Sequence, residues 1–430
     1  MLPNRINADG HLVFAGADTV TLAKKYGTPL YLMDEERIRH NCRVYTEAMA
    51  QAFPKGGRPL YASKALSCRR VYEIIREEGL GADAVSGGEL YLALRAGVPA
   101  EDLFFHGNSK PEPEIRYAIE QHIGYFVADN PAELETVNRV AGELGTVQKV
   151  LLRLTPGIDP HTFAAVTTGT IDSKFGVPIP NGLAMDFLAR AMQLPNLQVE
   201  GVHCHIGSQI FEGVHFISAA EIMLTFLADA KKQLGFTARL LDLGGGFGVP
   251  YVEDDPVPDI RAGILALGAA LSDLCARLGL AVPTVLMEPG RSIVADAGIT
   301  LYTVSGAKSV PGIKNFVGID GGMTDNPRFA LYGSRYTALL ANRAGEPAAG
   351  RYTIAGRCCE SGDLIQEGVP LPAPQAGDTL CVLVTGAYNH SMSSNYNAVC
   401  RPPIVMVRNG EDYVAVRRET FADLAARDAE

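Results

Sequence analysis

A chain of 430 residues is too long for one ordinary core, so it divides into two domains or into one barrel with a smaller partner. Its 47% hydrophobic and 20% charged residues are a globular balance that excludes disorder. The net charge of −10, from 38 basic and 48 acidic side chains, argues against nucleic acid and anionic membranes as partners.

The opening MLPNRINADG joins no cationic start to an apolar run, and no stretch is long enough to span a bilayer, so a cytoplasmic protein is expected. Residues 29–34 (PLYLMD) read as a short strand. Eight apolar runs follow: RPLYASK (58–64), GADAVS (81–86), DLFFHG (102–107), GYFVAD (124–129), KVLLRLTPG (149–157), VEGVHCHIGS (199–208), RLLDLGGG (239–246) and TVLMEPGR (284–291). Residues 68–79, 87–97, 110–121, 131–144, 214–235 and 259–279 carry apolar residues at helical spacing between them. This rhythm predicts an α/β fold, a TIM (β/α)8 barrel over residues 33–295; a doubly wound sheet has the same rhythm, but the unusual residues here fall at the C-terminal ends of many strands, where barrels build active sites.

After about residue 295 the runs become strand-like: 299–306, 352–358, 378–386 and 403–418, the last interrupted by the hairpin pair Asn409-Gly410. These predict a C-terminal β-rich domain, barrel-like or sandwich-like, of residues 296–430 joined by 1–32. The eight cysteines (Cys42, Cys68, Cys204, Cys275, Cys358, Cys359, Cys381, Cys400) follow neither a disulfide framework nor zinc-ribbon spacing and read as thiols in a reducing compartment.

Several strand ends carry chemistry. Lys64 closes YASK; partial burial and nearby positive charge would favour the neutral amine that Schiff-base chemistry needs, although a surface lysine at a strand end looks the same. Gly244, Gly245, Gly246 and Gly248 in LDLGGGFG allow backbone N–H groups to converge on an anion, or make a tight turn. Glu288-Pro289-Gly290-Arg291 offers a carboxylate for a cationic ring nitrogen and a guanidinium for an anion, or a local ion pair. His203 and His205, two apart on a strand, are the best case for a metal, but no further histidines are expected to cluster with them; an aromatic ring stacking on a flat cofactor, with Ser208 on its phosphate, is preferred. Cys359, in Cys358-Cys359-Glu360-Ser361-Gly362-Asp363, can move a proton if its surroundings tune it, and is otherwise a structural thiol. Tyr388, after Gly386-Ala387, has a phenol that reaches a ligand or fills a core.

Taken in order, YGTPLY, YASKA, SGGEL, GNSK, GTIDSKFG (169–176), HCHIGSQ, LDLGGGFG, MEPGRS, CCESGD and GAYNHSMSSNYN resemble the diaminopimelate decarboxylases of the alanine-racemase-like, fold-type-III pyridoxal-phosphate family. Each motif alone is weak; their joint order over nearly the whole chain is specific. The resemblance implies pyridoxal 5′-phosphate as cofactor and decarboxylation of meso-2,6-diaminopimelate to L-lysine and CO2, the last step of lysine biosynthesis. It implies a Schiff base on Lys64, His205 stacked on the ring, and Glu288 at its nitrogen. It implies Gly244, Gly245, Gly246, Ser208, Gly290, Arg291 and Tyr388 around the phosphate or its approach. Arg291, Arg328 and Tyr332 would bind the substrate's distal carboxylate, with Tyr388 beside them. It also implies a homodimer with shared sites, in which Cys359, as proton donor, and Glu360, as partner of the distal ammonium, come from the other subunit.

Departures from the pattern are SKAL where many relatives have asparagine after the alanine, GNSK for GNNK, Tyr336 for histidine, and Thr155 for asparagine. None removes a residue of assigned role. A same-fold decarboxylase for ornithine, arginine or a carboxylated polyamine is disfavoured by Arg328 and SKFG, a racemase by Cys359, and a non-catalytic single-barrel regulator by the long β domain. A metal-dependent barrel hydrolase would rest on His203 and His205 alone.

Overall fold

A computed structural model describes residues 5–158 and 173–429. It divides into two compact units: Met1–His40 with Val249–Pro256 and Ile293–Glu430, and Asn41–Gly248 with Val257–Ser292.

The second unit is the predicted parallel barrel. Its strands are Gly57–Ala62, Gly81–Ala84, Leu103–Phe105, Tyr125–Ala128, Gln148–Thr155, Leu197–His203, Leu240–Asp242 and Thr284–Met287. Each pairs in parallel with the next, and the eighth returns to the first to close the ring. Strands covered on both faces are apolar throughout rather than alternating, which is why the sequence shows them as runs. Leu60, Phe104, Val127, Leu151 and Leu286, from five of the strands, form one buried cluster.

The helices begin and end on local signals. Ser86, Asn130 and Asp259 accept the N–H groups of Glu89, Glu133 and Ala262 as N-caps. Gly235 and Gly279, at φ +71° and +66°, terminate the long helices Val214–Leu234 and Ile260–Leu278. Among the described residues the helices outside the predicted set include Thr19–Tyr26, Glu35–Ala52 and Leu183–Met192.

The first unit is built on a nine-stranded sheet. One path runs Leu364–Leu371, Gly350–Ala355, Lys314–Ile319, Gly298–Val310, Leu30–Asp34, Ile404–Arg408, Glu411–Val416; Thr379–Leu383 also pairs with Gly298–Val310, and Ala338–Leu340 with Thr379–Leu383. The PLYLMD strand therefore belongs to this sheet and is not part of the barrel rhythm. Asn409 and Gly410, at φ +52° and +84°, make the expected two-residue hairpin. Among the described residues no helix is long and apolar enough to cross a membrane.

Candidate active site

Lys64 follows the first barrel strand in a single 3-10 turn, Ser63–Ala65. Its side chain is exposed, not partly buried as the sequence suggested. The end of the eighth strand is fastened beside it. The Ala62 N–H donates to the Pro289 carbonyl at 3.1 Å. A Cβ on Gly290 would lie 2.8 Å from the Ala62 Cβ and 3.2 Å from the Ala65 Cβ, so only glycine allows the EPGR loop this close to the lysine turn. Buried Arg291 then donates through Nη2 to the Ser208 hydroxyl at 3.0 Å, tying the eighth strand end to the sixth.

The glycine run after the seventh strand is equally constrained. A Cβ would fall 2.6 Å from the Cys204 carbonyl at Gly244, 1.9 Å from the Glu288 carbonyl at Gly245, and 2.2 Å from the Gly207 carbonyl at Gly246. Gly244 and Gly246 also hold φ +69° and +112°. Two loop N–H groups are used within the site, contrary to the picture of all of them facing an anion. Gly244 donates to Asp242 Oδ1 at 2.9 Å, and Gly245 to His205 Nδ1 at 3.2 Å. Burial, then the Lys64 and Arg153 charges, hold His205 well below its ordinary pKa, so it is a neutral ring with Nδ1 as acceptor.

The sixth strand stops at His203, so the strict alternation that would aim His203 and His205 alike ends there. His203 turns instead toward Glu288, with Nε2 3.3 Å from Oε1. His106, from the end of the third strand, brings its Nε2 to 3.0 Å from the same oxygen. These approaches are close but not aligned as hydrogen bonds. The expectation that no further histidine joins His203 is thus overturned: His106, His203 and Glu288 offer ligand atoms within 4.8 Å of one another, without His205. Asp83 lies 4.0 Å from His106. Burial pushes Glu288 up, but the two imidazoles outweigh it and hold the carboxyl well below the usual range. Burial also raises Asp83 and, together with the Glu288 charge, Asp242. Sequence reasoning passed over His106, Asp83 and Asp242, although each is a polar residue at or near the end of a strand.

Other motif residues are structural. Lys110 of GNSK pairs with Glu133 at 2.7 Å and donates to the carbonyls of Gly107 and Val127. Thr155 donates to the Phe175 carbonyl at 2.7 Å, and Arg153 stacks on the Phe175 ring at 4.4 Å. Residues 169–172 of GTIDSKFG lie outside the described residues.

In the sheet unit, Arg328 is 8% exposed, and its guanidinium is 5.5 Å from both the Tyr332 and Tyr388 rings. Among the described residues its side chain makes one hydrogen bond, a long 3.4 Å to the Ser334 hydroxyl, and its Nε makes none. Tyr388 sits at φ +61°, a strained conformation for a large residue. Cys359 and Glu360 are exposed in the loop between Gly350–Ala355 and Leu364–Leu371. The Asp363 carboxylate braces that loop by accepting from Met323 N at 2.5 Å and Cys358 N at 2.7 Å. Asn397 of SNYN accepts the Cys359 N–H at 2.8 Å. Tyr336 is buried, edge-on to Tyr251 at 5.5 Å.

A barrel with a strand-end lysine, a close-packed glycine loop and a buried carboxylate is the arrangement of a pyridoxal enzyme, and comparison with known proteins agrees. Residues 36–295 match the family model for the pyridoxal-binding domain of pyridoxal-dependent decarboxylases, and residues 225–386 that for their C-terminal sheet domain. The chain belongs to this family of pyridoxal-dependent decarboxylases. It is 44% identical to diaminopimelate decarboxylase of Bacillus subtilis (strain 168), over 99% of this chain and 97% of that one. Diaminopimelate decarboxylase from M. jannaschii superimposes with a TM-score of 0.91 at 34% identity, covering 100% and 99% of the two chains. The same enzyme in co-complex with L-lysine gives 0.89. The residues present fit pyridoxal phosphate. Glu288 is a buried carboxylate that its surroundings hold ionised, and the loops at 244–246 and 290 leave no room for side chains beside it and the lysine turn.

Proposed function

We propose that the chain decarboxylates meso-2,6-diaminopimelate to L-lysine and CO2, in the cytoplasm, as a homodimer. The observation that carries the choice of substrate is Arg328: a buried guanidinium between two tyrosine rings, with a single long hydrogen bond, calls for an anion. A distal carboxylate supplies it; ornithine and arginine have none. The 44% identity over 99% of the chain supports the same reading.

Bound pyridoxal phosphate supplies the electron sink into which the bonding pair of the departing CO2 is drawn. The chain's residues do the rest. Lys64, whose exposed amine is free to reach, holds the cofactor's aldehyde carbon. Glu288 keeps a proton at the ring nitrogen, and His205, neutral and fixed by Gly245, presents its ring for stacking. Gly244, Gly245, Gly246, Ser208, Gly290 and Arg291 surround the phosphate, with Tyr388 assigned to it from the sheet unit. Arg291, Arg328, Tyr332 and Tyr388 orient the substrate through its remote end, which sets the scissile bond. Cys359 of a second copy delivers the proton to the carbon that lost CO2, and Glu360 of that copy receives the distal ammonium.

The test is CO2 release by purified protein with added cofactor, offered meso-diaminopimelate, ornithine, arginine and lysine separately. Turnover of diaminopimelate alone is expected. Preference for ornithine or arginine would refute the reading of Arg328.

A further inference from the structure

Glu288 is 6% exposed, and a carboxylate so buried goes neutral unless it is hydrogen-bonded. A neutral carboxylic acid could not keep a pyridine nitrogen protonated. Two imidazoles address this. His106 and His203 come from different strands, the third and the sixth, yet both set Nε2 against the same oxygen, Oε1, at 3.0 and 3.3 Å. Their rings meet edge to face, with centroids 5.0 Å apart at 73°. His106 is 3% exposed and His203 0%. Among the described residues His203 has no aligned hydrogen bond at either nitrogen and His106 none at Nε2, and the Nε2 atoms of both face the carboxylate.

Resting on the proposed pairing of Glu288 with the ring nitrogen, we infer that His106 and His203 are positioning residues for the cofactor: their Nε2–H groups donate to Glu288 Oε1, keep that carboxylate ionised, and leave Oε2 for the ring nitrogen. One carboxylate oxygen accepts two donors without difficulty. The other groups facing Glu288 are compatible. Burial, against the opposing pull of the Glu288 charge, drives His203 down to about 4, so it is a neutral ring with one proton that can sit on Nε2. Asp83 and Asp242 are raised toward the neutral acid, first by burial, and Arg153 is positive. His205 spends its Nδ1 on Gly245 and takes no part. Nitrogen–oxygen separations of 3.0 and 3.3 Å are within hydrogen-bond reach though not aligned, and a ligand on Oε2 would draw them into line.

The experiment compares two probes, pyridoxal 5′-phosphate and its carbocyclic analogue in which a C–H replaces the ring nitrogen. Their dissociation constants are measured on wild type, H106N, H203N, H106Q, H203Q and E288Q, with thermal unfolding of each cofactor-free protein alongside. Glutamine carries an N–H to the Nε2 position; asparagine is polar but too short to reach Oε1. Both asparagine variants should lose roughly tenfold to a hundredfold in affinity for the natural cofactor, the scale of one hydrogen bond to a charged group, with no loss for the analogue. The glutamine variants should recover most of it. Equal losses on both probes, or asparagine variants that bind the natural cofactor like wild type, would overturn the inference. E288Q separates it from the reading beneath it. If E288Q discriminates between the probes and the histidine variants do not, only the inference fails; if E288Q does not discriminate, the pairing of Glu288 with the ring nitrogen fails as well.

Discussion

Alanine at position 245 places a methyl group 1.9 Å from the Glu288 carbonyl oxygen and 2.9 Å from its carbon. A carbon–oxygen approach of about 3.3 Å is the ordinary limit, so the loop and Glu288 must part by more than about 1 Å. Both atoms met are backbone, and no rotamer change relieves them. Overpacking of this kind costs about 1–3 kcal/mol. The movement falls on the residue proposed to hold the ring nitrogen and strains the 2.9 Å hydrogen bond from Glu288 N to Gly244 O. A matched control exists at Gly201, inside the sixth strand, where a Cβ would sit 1.9 Å from the Leu240 carbonyl. Denaturant unfolding of the cofactor-free proteins should show comparable losses for Gly245→Ala and Gly201→Ala. Absorbance titration of the folded protein should show cofactor affinity lowered on the order of a hundredfold in Gly245→Ala alone, the scale of a 1 Å misplacement. Wild-type affinity in Gly245→Ala would refute the claim that the spacing of this loop from Glu288 seats the cofactor.

Lys64→Ala should abolish both activity and the cofactor adduct trapped by borohydride; a trapped adduct seen by mass spectrometry in the variant would assign the anchor to another lysine. Arg328→Ala should weaken diaminopimelate turnover by about 2–5 kcal/mol in kcat/KM while sparing cofactor affinity, since its loss leaves the distal carboxylate buried and unpaired; an equal fall in cofactor affinity would give Arg328 to the phosphate or the fold. Lys64→Ala and Cys359→Ala, each nearly inactive, should regain about a quarter of wild-type activity on random subunit exchange, because half the dimers are mixed and each has one intact site of two; exchange proven by mass without regained activity would place Cys359 in its own chain's site. His390, edge-on to Tyr31 at 5.4 Å, is driven down to about 4, by burial first and then by the Arg401 charge. Its folded value is depressed, so its stability contribution is complete above about pH 6.5 and is lost as pH falls toward 4. His390→Gln should reduce the fall in urea midpoint between pH 7 and 4.5 by an amount worth about 2 kcal/mol, and an unchanged fall would show that His390 is not held neutral.

The barrel was legible because each of its eight strands carries a largely apolar run, and the runs end in Gly, Ser or a charge. The helix Glu35–Ala52 was not, although Ile38, Cys42, Tyr45 and Met49, all fully buried, stand at helical spacing in it; charged residues crowd its other face and hide the stripe. In the site, Lys64, the glycine run and Glu288-Pro289-Gly290-Arg291 stood out because their residue types are unusual at strand ends. His106, Asp83 and Asp242 did not. Their significance lies in which side chains a closed ring of strands turns toward one carboxylate, and spacing along the chain does not carry that. The two histidines of HCHIG illustrate it: i and i+2 share a direction only while the strand lasts, and this strand stops at the first.

The strand Leu30–Asp34 lies between Gly298–Val310, antiparallel, and Ile404–Arg408, parallel, with Leu30, Tyr31, Leu32 and Met33 all buried. It is made early and both its neighbours late. At roughly 5–20 residues per second, translation of everything between the strand and its first partner takes on the order of ten seconds or more. Throughout that interval the nascent chain carries an apolar segment with two unsatisfied edges, the kind of surface that invites association with other chains. All eight strands of the barrel leave the ribosome within that interval, before either neighbour does. The sheet, whose interior strand Leu30–Asp34 is synthesised first, can be completed only after residues 404–408 emerge.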